Sequence, residues 1–236
     1  SSCREDDGAG YIFSMDIAEN PDTLDPQIAG DYSSLLIISN MYVGLLTEQN
    51  DGTIGEGVAE SYEVSEDGLV YTFELKNTYY WVDNDEFEAP CTANDFVFAF
   101  QRLFNPQTQA PKAADFFIIK NSKAINQGLI TDFSKLGVYA DGDYRLIIKL
   151  ETPNPALPQL LTTAAALPCN EEFFYKSQGK YGLRSETTAA NGAFYISQWQ
   201  YDQWGENNNI ILRRNDKYTE NATVYPYGLN FLIDDG

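Results

Sequence analysis

The sequence predicts a mixed α/β fold, and three observations carry that expectation. Strand-like alternation and helix-like periodicity are interspersed along the chain, with the densest mixture over residues 45–160. Hydrophobic residues make up 43% of the 236 and aromatics 14%, enough for a packed core in one large or two small domains. There is neither an internal repeat nor a low-complexity tract, so a solenoid is not expected.

The elements follow in order. Residues 11–17 alternate and read as the first strand. A loop punctuated by Pro21 and Pro26 comes next. Ser33 or Ser34 is expected to cap a helix through Leu35, Leu36, Ile38 and Met41 that stops near Gly44. Asn50-Asp51-Gly52 is a turn, and a short amphipathic piece ends in Ala59-Glu60-Ser61. Glu66-Asp67-Gly68 turns the chain into an alternating strand over 69–75. A hairpin bearing Trp81 leads to Thr92, the expected N-cap of a helix with Phe96, Phe100 and Leu103 on one face. That helix ends before Asn105-Pro106, and a second is expected over 113–127, stopped by Gly128. Residues 136–140 and 144–150 read as a hairpin closed by an Asp-Gly turn. A short helix over 173–178, a hairpin pairing 194–196 with 210–212, and a last strand at 228–233 complete the chain. Phe73, Trp81, Phe96 and Phe100 are assigned to the core.

The charge excludes several functions. Thirty-five acidic residues against 15 basic ones give a net charge of −20, which argues against nucleic acid and against adsorption to an anionic membrane. The absence of histidine removes Ser-His-Asp and Cys-His nucleophiles and histidine-based zinc sites. No apolar run reaches the roughly 20 residues that a membrane-spanning helix needs. Asp83, Asp85 and Glu86 fit a solvated hairpin tip better than a calcium loop, because no glycine or closing glutamate falls at the required spacing. Cys91 and Cys169 fit either a disulfide or two small buried apolar residues, and the second reading is favoured.

A series of short motifs then narrows the function. In order they include Thr23-Leu24-Asp25-Pro26, Tyr42-Val43-Gly44-Leu45-Leu46, Gly57-Val58-Ala59-Glu60-Ser61, Tyr71-Thr72-Phe73-Glu74-Leu75-Lys76 and Trp81. Thr92-Ala93-Asn94-Asp95-Phe96-Val97, Gln101-Arg102, Leu136-Gly137-Val138, Asn191-Gly192-Ala193-Phe194 and Arg214-Asn215-Asp216-Lys217-Tyr218 follow. Each is weak alone; their sequence and spacing resemble the bacterial extracellular solute-binding proteins, family 5, and within it the oligopeptide branch.

The resemblance implies a periplasmic-binding-protein-like fold. Residues 11–41 and 166–236 would form the core of the first lobe, and 42–165 an inserted α+β subdomain. Residues 1–10 would be a flexible leader with Cys3 as the lipid-attachment cysteine, anchoring the protein outside the cell membrane or in the periplasm. The second lobe is expected to be missing, making the chain a fragment of a longer protein. The implied function is capture of extracytoplasmic oligopeptides by a monomer and delivery to the transmembrane subunits of an ABC permease, with no cofactor, no metal and no chemistry on this chain. The same scaffold binding an oligosaccharide, a metal chelate or a signalling peptide is the first alternative. A secreted glycoside hydrolase using a carboxylate pair is a remote one, since no motif fixes such a pair. The resemblance also implies ligand contacts at Gly30, Asp31 and Tyr32, just after the Leu-Asp-Pro loop, with further positions at Lys112 and Thr163. Arg102 and Asp95 are expected in helix-end electrostatics or an internal ion pair.

Overall fold

The structure, a computed structural model, describes residues 2–6, 10–220 and 226–234. Its first layer is a five-stranded mixed sheet built from both ends of the chain. β1 (Ser2–Asp6) and β2 (Gly10–Ile17) come from the start, and β11 (Phe194–Gln200), β12 (Asn209–Arg214) and β13 (Gly228–Ile233) from the end. The order is β1-β2-β13-β12-β11, with β2 and β13 parallel and the other pairs antiparallel. Period-two alternation explains its packing: Ile210 and Leu212 of β12 and Leu229, Phe231 and Ile233 of β13 are buried. Part of the expected leader is thus an edge strand, in which Cys3 pairs with Phe13.

The middle of the chain makes a second, antiparallel sheet, in the order β5 (Ala59–Val64), β6 (Val70–Leu75), β10 (Arg145–Lys149), β9 (Val138–Ala140). Helix α2 (Ala93–Phe104) lies across β9 and β10. Phe96, Phe100, Leu103 and Phe104 are fully buried, as are Phe73, Leu146 and Ile148 of the sheet, so the face read from the sequence is the packed one. Burial of each such side chain is worth about 1.5–3 kcal/mol. Thr92 is the N-cap of α2 as expected, and its N–H donates to the Asp95 carboxylate at 2.8 Å. Two small hairpins, β3 (Leu46–Glu48) with β4 (Ile54–Glu56) and β7 (Tyr80–Val82) with β8 (Glu88–Pro90), join the layers. Trp81 and Phe73 are both wholly buried.

The seam between the layers depends on close backbone approach. Gly57 N–H donates to Leu45 O and Val58 N–H to Gly44 O, at 3.2 and 2.8 Å. A β-carbon at Gly57 would overlap the Gly44 carbonyl, so the Gly-Val-Ala motif needs its glycine for space. Asn191 acts as a peptide group in the same seam. Its Oδ1 accepts from Val43 N–H at 2.9 Å, and its Nδ2 donates to Val43 O at 3.0 Å.

Two expectations fail for physical reasons. The helix after the proline loop, α1 (Tyr32–Met41), is capped by Asp31 rather than by Ser33 or Ser34: the Asp31 carboxylate accepts from both the N–H and the Oγ–H of Ser34. The single helix expected over 113–127 is broken into a 3-10 turn, Ala113–Phe116, and α3 (Ser122–Asn126). Between them Ile119 bridges Leu150, Lys120 N–H donates to Lys149 O, and Asn121 turns through a left-handed φ of 64°. Long-range pairing thus overrides local helical pattern. Two short helices, α4 (Leu157–Leu160) and α5 (Glu171–Lys176), complete the described elements.

Candidate functional site

The Leu-Asp-Pro loop is folded by its own polar groups and then bolted to α2. Asp25 O accepts from the N–H groups of Ile28 and Ala29 at 3.1 and 2.9 Å, and Asp25 Oδ1 accepts from Gln27 N–H at 3.2 Å. Leu24 N–H donates to Gly182 O at 2.7 Å, and Gly182 packs so closely that a β-carbon would overlap the Asp25 backbone. Arg102, near the end of α2, sends Nη1 to Asp25 Oδ1 at 3.0 Å and Nη2 to Oδ2 at 2.5 Å. Nη1 also reaches Gln27 Oε1 at 2.7 Å, and the guanidinium stacks 4.4 Å over Phe174. Burial alone would lower the Arg102 pKa, but the Asp25 hydrogen bonds and charge outweigh it and raise the value above its ordinary range. The Arg102 partner is therefore Asp25, not Asp95.

Gln27 carries this network across to a second loop. It is 1% exposed, and its Nε2 donates to Ala165 O at 3.1 Å and Leu167 O at 2.8 Å. One buried carboxamide therefore ties the loop before α1 to the turn over 163–167. Sequence reasoning assigned Gln27 no role. Its only local signal was its place directly after Asp25-Pro26.

The five expected contact residues do not all meet. Gly30 is exposed, with nothing within 4 Å of the position a β-carbon would take, so its backbone is open to approach. Tyr32 opens α1 with its ring 79% exposed. Asp31 sits between them, its carboxylate engaged in the cap of α1. Thr163 is exposed in the turn that Gln27 tethers, and its Oγ1 donates to Leu160 O at 2.6 Å. Lys112 is exposed on another element, before the 3-10 turn at Ala113–Phe116.

A groove of about 460 Å³ lies between α1, β3 and the 162–167 turn, and none of the five residues is in its lining. One wall is the face of α1 formed by Leu35, Ile38 and Ser39, with Tyr42 at its C-cap; Tyr32 lies three residues before Leu35 on the same helix. The second wall is Leu46, Thr47 and Glu48 of β3, and the third is Thr162, Ala164 and Leu167.

Tyr42 and Tyr181 share a hydroxyl hydrogen bond at 2.9 Å, and burial pushes both phenols well above their ordinary pKa. Asp95 accepts from Trp81 Nε1 at 3.0 Å as well as from Thr92, yet burial outweighs these bonds and raises its pKa to about 6. Cys91 and Cys169 are free thiols and buried, in line with the favoured reading. Burial pushes Cys169 up to about 12 and Cys91 well above its ordinary value, so both stay protonated and poor nucleophiles.

The chain has known counterparts. The family described as bacterial extracellular solute-binding proteins, family 5 Middle, matches over residues 53–235. The chain belongs to this family. The oligopeptide-binding protein AmiA of Streptococcus pneumoniae is 30% identical over 230 residues, which are 96% of this chain and 33% of AmiA. The substrate-binding domain of an oligopeptide ABC transporter from Bacillus anthracis superposes with a TM-score of 0.86 at 33% identity, over 94% of this chain and 41% of the other. OppA of Listeria monocytogenes bound to peptide gives a TM-score of 0.84 at 27% identity, over 94% and 42%. The chain thus spans well under half the length of each. The fold is periplasmic-binding-protein-like, and the family consists of extracellular or periplasmic solute-binding proteins. No helix among the described residues is long and apolar enough to cross a membrane.

Proposed function

We propose that this chain is the first lobe of the oligopeptide-binding component of an ABC importer. The carrying observation is the pair of exposed segments, Gly30 to Tyr32 and the turn at Thr163, tied together by Gln27, with an open groove between α1 and that turn. A peptide lies along these segments. It takes main-chain hydrogen bonds at Gly30 and Tyr32 and a polar contact at Thr163, while Asp31 keeps the loop in shape through the cap of α1. Lys112 meets a carboxylate of the ligand. Residues 11–41 and 166–236 act as the lobe core, 42–165 as its insert, and a second lobe outside this chain closes over the ligand. The captured peptide passes to the transmembrane subunits of the permease. The role is carriage without bond-making chemistry and needs no metal or cofactor. The protein acts as a monomer outside the cytoplasm, held to the membrane by a lipid on Cys3.

Native mass spectrometry of the full-length protein purified from its host tests the reading. A spread of peptide masses released on denaturation supports it. A single non-peptide mass keeps the fold and overturns the ligand.

A further inference from the structure

We infer that the groove between α1, β3 and the 162–167 turn is a subsite for one large apolar side chain of the bound peptide, with Glu48 facing a cationic group beside it. This rests on the peptide reading and narrows it, because a purely sequence-tolerant carrier would show no such preference. Tyr32, Leu35, Ile38 and Ser39 lie along one face of α1, and Tyr42 is its C-cap, so a peptide held at Tyr32 can continue along this face toward the groove. Leu35 and Val43 are only half-buried, leaving apolar surface on the walls beside the buried Ile38, Leu46 and Leu167. Among the described residues the groove has no cation in its lining, and its one charge is the exposed carboxylate of Glu48. The adjoining hollow shares Val43 and Thr47 and holds Glu56 and Glu220 against Lys76 alone. An apolar side chain followed by a positive charge complements that sequence of surfaces. Gln27 fixes the width of the groove, since it holds Ala165 and Leu167 relative to the start of α1.

The test is calorimetry on the full-length protein with alanine hexapeptides in which leucine replaces one position at a time. Leucine at one position should bind roughly ten-fold tighter than alanine. In S39W, which fills the groove from an exposed helix position, that preference should vanish; S39A should retain it. A photoreactive leucine at the preferred position should crosslink to the wild-type segment 35–48, a readout independent of whether S39W folds. A flat response to leucine, a preference that survives in a folded S39W, or crosslinks elsewhere overturns the subsite and leaves peptide binding standing. Failure of every hexapeptide to bind overturns the peptide reading and the subsite with it.

Discussion

Replacing Asp25 by alanine leaves the Arg102 guanidinium buried without its counter-ion. Asp25 is 2% exposed and Arg102 7%, so water cannot take over the lost interaction. Breaking a buried pair from one side costs about 3–5 kcal/mol, because an uncompensated charge remains. R102M should cost about as much, since it strands the Asp25 carboxylate. The double variant removes both charges. What remains is a small cavity and a Gln27 Oε1 without its Arg102 donor, a loss of about 1–3 kcal/mol. The double variant should therefore be no worse than either single one, with a coupling energy of about 3 kcal/mol or more. Urea unfolding of the four proteins, followed by tryptophan fluorescence, gives the cycle directly. Single variants that cost under about 1 kcal/mol, or strict additivity in the double, would refute the argument that this pair anchors the loop.

Further expectations follow from the same structure. Gly142 and Gly182 have nearly equal left-handed φ values, 79° and 77°, but only Gly182 packs against the Asp25 backbone. In urea unfolding, G142A should cost about 1 kcal/mol for backbone strain alone, and G182A about 2 kcal/mol or more beyond that. Equal costs would show that contact with the Asp25 loop is unimportant. Asp95 has a folded pKa raised to about 6 by burial, against about 3.9 unfolded. Between those values the folded state holds the proton and the unfolded state does not, so the contribution of Asp95 to stability grows as pH falls from about 6 to 4. Measured against non-titrating D95N, the stability of the wild type should improve over that window by about 2–3 kcal/mol. A wild type that loses stability relative to D95N on acidification would reverse the assignment.

Much of the framework was legible because its signals are local. Thr92 with Asp95 three residues on, and the spacing of Phe96, Phe100 and Leu103, define α2 without reference to the rest of the chain. The Asp-Gly turn at 141–142 likewise announces the hairpin of β9 and β10. The segment after Ala113 was misread because its conformation is set by pairing with β10, about 30 residues away. The Asp31 cap was missed because serine at 33 and 34 offers an equally good local signal. At the candidate site, the motif resemblance pointed to Gly30, Tyr32 and Thr163, but nothing local reveals that Gln27 joins their segments. Its partners at Ala165 and Leu167 are backbone carbonyls, which leave no mark in the sequence. Arg102 and Asp25, 77 residues apart, each looked like an ordinary motif residue until the fold brought them together.

Ligand is expected on Gly30 to Tyr32 and on the turn at Thr163. Hydrogen–deuterium exchange on the full-length protein tests this, comparing the ligand-stripped state with one saturated by a peptide that co-purifies with it. Slowed exchange is expected over residues 28–36 and 162–167. Unchanged exchange in both segments, with protection elsewhere, would contradict it.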